Sequence, residues 1–247
     1  MIRISLGNVG SGKTAMEVRE MLFNRTHRKT YSNIKTTIKH QLELKPGMII
    51  KKEVVGSKKS KGEEVSIYEY KLNLDFWKSI KEPINVVLDE AHTILNSRRS
   101  MSKTNIILTD WLALVRRVLG GTEGGYGELV FITQLPNRID NIAREMAHQV
   151  RYHICHYAKS CKVCGTSWRE HSEVSESIYS CPRCTSPDLL KHSHYLEIWF
   201  FDSMENFQAW KTFGATTYYK QIYVWDIEKV FSLYSTLQWD NLFSEHY

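Results

Sequence analysis

Eight consecutive residues near the start of the chain, Gly7, Asn8, Val9, Gly10, Ser11, Gly12, Lys13 and Thr14, fit the pattern G-x-x-x-x-G-K-[ST] without a mismatch. Glycines at this spacing let successive backbone N–H groups turn inward around a polyphosphate. A helix that starts directly behind them adds partial positive charge. Lys13 is then placed to reach the β- and γ-phosphates, and the Thr14 hydroxyl to sit on Mg2+. A chance glycine turn has no need of a strand before it or a helix after it. Here Ile2 to Leu6 reads as a short strand and a helical pattern begins at Lys13.

A second group of chemically able residues follows in INVVLDEAH, Ile84 to His92. A buried-strand run ends there in two acids. A carboxylate leaving the end of such a strand can hold a magnesium shell, which assigns Asp89. Glu90, one residue later, can polarise an attacking water as a general base. A strand can also merely end in charges, but a phosphate loop demands a magnesium-site acid elsewhere in the chain. The pair of motifs predicts a nucleoside triphosphatase that uses ATP and Mg2+.

Four of the five cysteines form two C-x-x-C pairs, Cys161 with Cys164 and Cys181 with Cys184, separated by sixteen residues. That spacing falls within the range of a zinc ribbon. Each pair can point two thiolates at one metal, and two pairs complete a tetrahedral structural Zn2+ site. Two disulfides would suit the same count, but a phosphate-loop enzyme without a leader belongs in a reducing compartment. Cys155 reads as an ordinary strand residue. His153, His156, His171, His192 and His194 lie near enough in sequence to be spare ligands, although four thiolates leave them no such task.

These groups need elements to carry them. A helix is expected from Lys13 to about Arg28, then a strand from Thr30 to Ile34. Met48 to Leu72 reads as a β-hairpin whose loop, GSKKSKGEE, brings together Lys58, Lys59 and Lys61, either a solvated tip or a DNA contact. Leu108, Trp111, Leu112, Val115, Val118 and Leu119 make one helix face that stops at Gly120 and Gly121, with Arg116 and Arg117 off that face. GGTEGGYG should be a mobile loop. ELVFIT forms another buried strand and delivers Gln134 at its end. Pro136 should open a helix with Ile139, Ile142, Ala143, Met146 and Val150 on one face. In open α/β sheets ligands bind beyond the carboxyl ends of the strands. Gln134 therefore becomes a candidate to sense the γ-phosphate or orient water.

The cysteine pairs interrupt two strand-like runs, VRYHICHYA and HYLEIWFFD, which predicts a long hairpin with the ribbon at its tip. WDIEKVFSLYSTLQ reads as a terminal helix packed on the body. The fold expected is α/β, a P-loop NTPase of the additional-strand, RecA-like type with a mostly parallel central sheet. Its units are a core over 1–158, a ribbon insert over 159–192 and a return strand with a helical segment over 193–247. With 247 residues, 42% of them hydrophobic, a core is well supplied, and the net charge of +6 permits a nucleic-acid partner without requiring one. No run of apolar residues is long enough to span a membrane. The start MIRISLGN leads directly into the first strand, so no signal peptide is expected.

With these pieces placed, the chain resembles the cytoplasmic ATPases of the zonular occludens toxin-like group of filamentous phages. That group belongs to the FtsK–HerA class of DNA-pumping ATPases, which includes viral packaging ATPases. The resemblance rests on GNVGSGKT, the YSNI after the first helix, VVLDEAH, the arginine-bearing helix ahead of ELVFITQLPNRID, and NIAREM. LYST, Leu233 to Thr236, is similar to the group's closing motif. Coverage is about 1–158, with a thinner likeness after 193.

The resemblance implies an ATP-driven motor on double-stranded DNA, commonly a ring of identical subunits, with Glu90 activating water and Gln134 as strand-end sensor. A neighbouring subunit would supply an arginine to the developing phosphoryl charge. Arg98, Arg99, Arg116 and Arg117 are the candidates. The ribbon and the GGTEGGYG segment depart from the group's pattern. The lack of a membrane anchor favours a viral packaging ATPase in the host cytoplasm, meeting a virion or portal protein, over a phage-assembly or secretion ATPase. A helicase would need a second motor domain. Zinc-containing thymidine kinases share the loop, the acids and four cysteines, but carry glycines and a tyrosine ahead of the second pair. Here that stretch is SEVSESIYS. A scaffold using ATP only as a switch would have no need of Glu90.

Overall fold

The computed structural model describes residues 1–24, 27–60, 63–94, 103–121, 125–173 and 179–235. Its centre is a mixed α/β arrangement around a mostly parallel sheet. Five short strands make the inner part: β1 (Ile2–Leu6), β2 (Thr30–Ser32), β3 (Gln41–Glu43), β6 (Asn85–Leu88) and β7 (Leu129–Thr133). A long strand, β8 (Gln149–Cys161), adds in parallel beside β1. The parallel order is β8-β1-β7-β6-β2-β3. The strand ending at the phosphate loop and the strand ending at Asp89 are therefore not neighbours. β7 lies between them, paired with both.

Helices cover both faces; three short ones, α2 (Pro46–Ile49), α3 (Leu74–Ser79) and α4 (Ala91–Ile94), lie along the chain between β3 and α5 (Lys103–Gly120). On one face α5 buries Leu108, Trp111 and Leu112 against Ile2, Ile4 and Leu6 of β1 and Phe131 of β7. On the other, α1 (Lys13–Leu22) buries Ala15, Met16 and Val18 against Val87, Val130 and Ile132. Both β1 and β7 are buried along their whole length; β7 (LVFIT) is apolar up to its last residue, as a strand covered on both faces tends to be, whereas β1 carries two buried polar residues, Arg3 and Ser5. Beyond β8 the sheet turns antiparallel. There β9 (Ser167–His171) pairs with β8, β10 (Leu189–Phe201) pairs with β8, and β11 (Lys220–Trp225) pairs with β10. Between β10 and β11, α7 (Met204–Phe213) packs Phe207 on Phe201 and Tyr152.

Four boundaries differ from the sequence expectation. Helix α1 ends at Leu22 rather than near Arg28, with Phe23 as its C-cap. No single helix follows Pro136. A 3-10 turn spans Pro136–Arg138, Ile139 is extended, and Asp140 caps a new helix α6 (Asn141–Glu145) by accepting from Ile142 N–H at 2.9 Å. An aspartate offered as N-cap restarts the helix, and Val150 lies in β8 instead.

The expected terminal helix is a 3-10 segment, Ile227–Leu233, whose buried Ile227 and Val230 sit three residues apart, one turn of that tighter coil. The hairpin strands β4 (Ile50–Ser60) and β5 (Glu63–Leu72) run further than expected, with a bulge between Val54 and Gly56. Polar residues on an exposed ribbon do not interrupt its backbone ladder. Lys58 and Lys59 therefore belong to β4, while Lys61 lies outside the described residues. Part of GGTEGGYG (122–124) also lies outside them.

Candidate nucleotide site and cysteine cluster

The phosphate loop links β1 to α1, and its shape depends on glycine. Gly12, the N-cap of α1, has φ +82°, and a Cβ there would sit 2.5 Å from Leu196 Cδ2 of β10. A Cβ on Gly7 (φ +147°) would sit 2.5 Å from the His153 carbonyl oxygen. Any side chain at either position would push the loop off the strands that hold it. Behind the loop, α1 is anchored by a buried polar network. Ser5 Oγ donates to Glu17 Oε1 at 2.7 Å, and the Arg3 guanidinium pairs with Glu17 and, at 2.7 Å, with Glu20. Glu17 is only 1% exposed, and its charge is tolerable there because each oxygen has a donor.

The Lys13 ammonium lies within the loop, donating to the carbonyls of Gly7 at 2.8 Å and Asn8 at 2.9 Å. Burial pulls its pKa down to about 8, opposed by the carboxylates of Asp89, Glu90 and Glu173. Thr14 Oγ1 donates to Asp89 Oδ2 at 3.0 Å, closing the distance between two motifs far apart in sequence. Burial raises the Asp89 carboxyl above the ordinary range, partly offset by the Glu90 N–H bonded to it.

Glu90 takes a left-handed backbone, φ +50°, which costs a residue with a side chain on the order of 1–3 kcal/mol and clusters at functional sites. Two side chains hold its carboxylate. Gln134 Nε2 donates to Oε1 at 3.1 Å, and His92 Nδ1 lies 3.2 Å from Oε2. His92 Nδ1 is also 3.1 Å from Thr133 Oγ1, and burial lowers its pKa, so it stays neutral near pH 7. Gln134 reaches Glu90 because β7 ends between β1 and β6.

Besides His92, three contributors are not singled out by the sequence analysis. Asn33, one residue past β2, clamps Asp89: its Oδ1 accepts from Asp89 N–H at 2.7 Å and its Nδ2 donates to Asp89 O at 2.9 Å. A polar residue just past a buried strand on the same edge was the available signal, as for Gln134. Tyr157 donates its hydroxyl to the Gly10 carbonyl. Lys191 lines the same cleft, of about 880 Å³, together with Phe231, Tyr234 and Ser235. Among the arginine candidates, Arg98 and Arg99 lie outside the described residues, as does the side chain of Arg116, and Arg117 is exposed on α5.

At the tip of the β8–β10 hairpin the four sulfurs of Cys161, Cys164, Cys181 and Cys184 lie within 4.8 Å of one another. Cys161 to Cys184 and Cys164 to Cys181 are each 3.5 Å. A tetrahedral zinc with Zn–S near 2.3 Å places its sulfurs about 3.8 Å apart, so this donor set fits the ion. None of the five histidines near the cysteines joins the cluster. His153 is fully buried under the loop, and His156 bonds Glu197 at 2.8 Å. Cys155 is buried in β8.

The family model for zonular occludens toxin (Zot) matches residues 1–160. The chain belongs to the Zot family. Comparison with curated proteins gives no match. Among solved structures it is similar to the N-terminal domain of zonular occludens toxin from Neisseria meningitidis, at 17% identity and a TM-score of 0.48, covering 95% of this chain and 98% of that one. It is also similar to the genome-packaging NTPase B204 of Sulfolobus turreted icosahedral virus 2, solved with ATP-gammaS. There the identity is 10% and the TM-score 0.38, over 61% of this chain and 74% of that one. The matched Zot segment includes every residue of the loop and both acids, and it ends one residue before Cys161. No helix among the described residues is long and apolar enough to cross a membrane.

Proposed function

We propose that this Zot-family chain is a Mg2+-dependent ATPase that drives movement of DNA, in the manner of a viral packaging motor. The observation that supports it is the convergence of Lys13, Thr14, Asp89, Glu90 and Gln134 on one cleft at the carboxyl edge of the parallel strands. The loop from Gly7 to Thr14 would wrap the phosphates, with Lys13 moving its ammonium from the Gly7 and Asn8 carbonyls to phosphate oxygens. Thr14 and Asp89 would hold Mg2+, which when bound neutralises charge on the phosphates. Glu90 takes a proton from water, held in position by His92 and Gln134. Cys161, Cys164, Cys181 and Cys184 would hold a structural Zn2+.

The net charge of +6 suits a phosphate-backbone partner. A subunit ring in the host cytoplasm, with one of the named arginines reaching the next subunit's site, completes this reading. A nucleoside kinase would need glycines beside Tyr179 to grip a base, and SEVSESIYS has none.

The test is ATP turnover with and without double-stranded DNA of unrelated sequences. DNA should stimulate turnover irrespective of sequence and less at higher salt. Changing Lys58, Lys59 and Lys61 to Glu should reduce the stimulation and spare the basal rate. Turnover indifferent to DNA, or phosphorylation of thymidine, would reject the motor.

A further inference from the structure

Among the described residues, two cationic side chains line the cleft: Lys13 and Lys191. Lys191 comes from the return strand β10, seven residues past the last cysteine, so nothing in the phosphate-loop pattern points to it. Its Nζ lies 3.7 Å from the centre of the Tyr157 ring, a cation–π contact that holds an otherwise flexible chain in place. The Tyr157 hydroxyl in turn donates to the carbonyl of Gly10, inside the phosphate loop. Ring, loop and ammonium are thus keyed together across two strands of the arm.

The acids of the cleft have other partners. Asp89 is bonded to Thr14, Glu90 to Gln134, and Glu228 accepts the Ser193 backbone N–H. Burial keeps the Tyr157 hydroxyl protonated well beyond the ordinary tyrosine range, so it remains a neutral donor to Gly10. A polyphosphate carries several negative charges, and charge on the transferred group has to be met by cations placed beforehand.

We infer that Lys191 is a second phosphate-binding residue, supplied within the same chain by the cysteine-tipped arm, and that Tyr157 is its positioning residue. The inference rests on the ATPase reading above. It makes the arm a contributor to the nucleotide site as well as an appendage of the core.

The full chain and its Lys191→Ala, Lys191→Arg and Tyr157→Phe variants should be compared. Affinity for a fluorescent ATP analogue and for the matching ADP analogue is measured together with kcat and KM. Lys191 is exposed, so Lys191→Ala should melt with the parent and still lose about tenfold in ATP affinity, with a smaller loss for ADP. Arginine should restore most of it, since charge is what is supplied. Tyr157→Phe, which keeps the ring but drops the bond to Gly10, should lose a few-fold, mainly in KM. Parent-like affinities and kinetics for Lys191→Ala would overturn the inference while leaving the ATPase intact. So would a loss that arginine fails to restore. A parent chain that binds no nucleotide would overturn the reading beneath it instead.

Discussion

The inner half of the sheet and the cysteine-tipped arm meet at the phosphate loop but reach their shapes by different means. Apart from the edge strand β3, the inner strands are short, parallel and buried almost throughout, so apolar packing from α1 and α5 fixes where each one ends. Those ends set Lys13, Asp89 and Gln134 on one edge. The arm is two strands of thirteen residues each, antiparallel, with alternating burial and many half-exposed side chains. Its far end has little core of its own and is gathered around four sulfurs. Small units of this kind draw stability from a metal where apolar area is scarce. The arm also touches the loop directly, through Tyr157 to Gly10 and through Asn8 Nδ2, which donates to Ser172 O at 3.1 Å. Chemistry is thus placed by the core, while the loop is clasped by the arm.

The sharpest test of that division lies in the core. Glu90→Gln should keep ATP binding and lower kcat by about 10²–10⁴-fold, because the amide cannot take the proton from water. Lys13→Ala should instead lose binding itself. Single-turnover kinetics beside equilibrium binding separates the two. Normal turnover by Glu90→Gln would remove the base from the proposed chemistry.

A smaller effect comes from pH and again concerns the core. Burial lowers Lys13 to about 8 in the free protein, and bound phosphates favour its protonated form. Above pH 8 binding must therefore draw a proton from solution. ATP affinity should fall by up to about tenfold per pH unit, since one proton is linked. Folding runs the other way. Between pH 8 and the ordinary lysine range the unfolded chain keeps a proton that the fold has released, so this group makes the fold more stable as pH rises. Lys13→Arg should flatten both trends. Affinity that is level from pH 7.5 to 9.5, a range of about two units, would show Lys13 charged throughout.

How much of this was readable beforehand depended on whether a position was set locally. Gly7 to Thr14 carries its own strand, turn and helix start. INVVLDEAH carries its own buried run, so those positions were legible. Gln134 was legible only through the rule that strand ends share an edge. Asn33 follows a buried strand just as Gln134 does, but its role depends on β2 lying beside β6, which no local pattern states. Lys191 and Tyr157 were hidden for a stronger reason. They reach the cleft only because β8 continues past β1 and carries β10 with it. Helix ends failed where a capping residue overrode periodicity, as Asp140 does within the run from Pro136 to Val150.

The smallest effect on nucleotide binding, and the most direct probe of the arm, is Cys161→Ser. The serine hydroxyl is a poor substitute for a thiolate, so the zinc proposed for this cluster should not be held, and metal analysis should fall from the one per chain expected of the parent to none. The tip should then open. Limited proteolysis would cut between 161 and 184, while the melting of the core should change little, because its apolar packing lies elsewhere. Nucleotide affinity should still drop, by roughly threefold to tenfold, if loosening the arm forfeits either the Tyr157 or the Asn8 bond to it, one bond being worth about 0.5–1.5 kcal/mol. Both arms of the result matter. Unchanged affinity with a lost tip would mean that β8 and β10 are held by β1 alone and that the sulfurs serve only the tip. A core that unfolds with the tip would mean that the two halves are not separately stabilised at all.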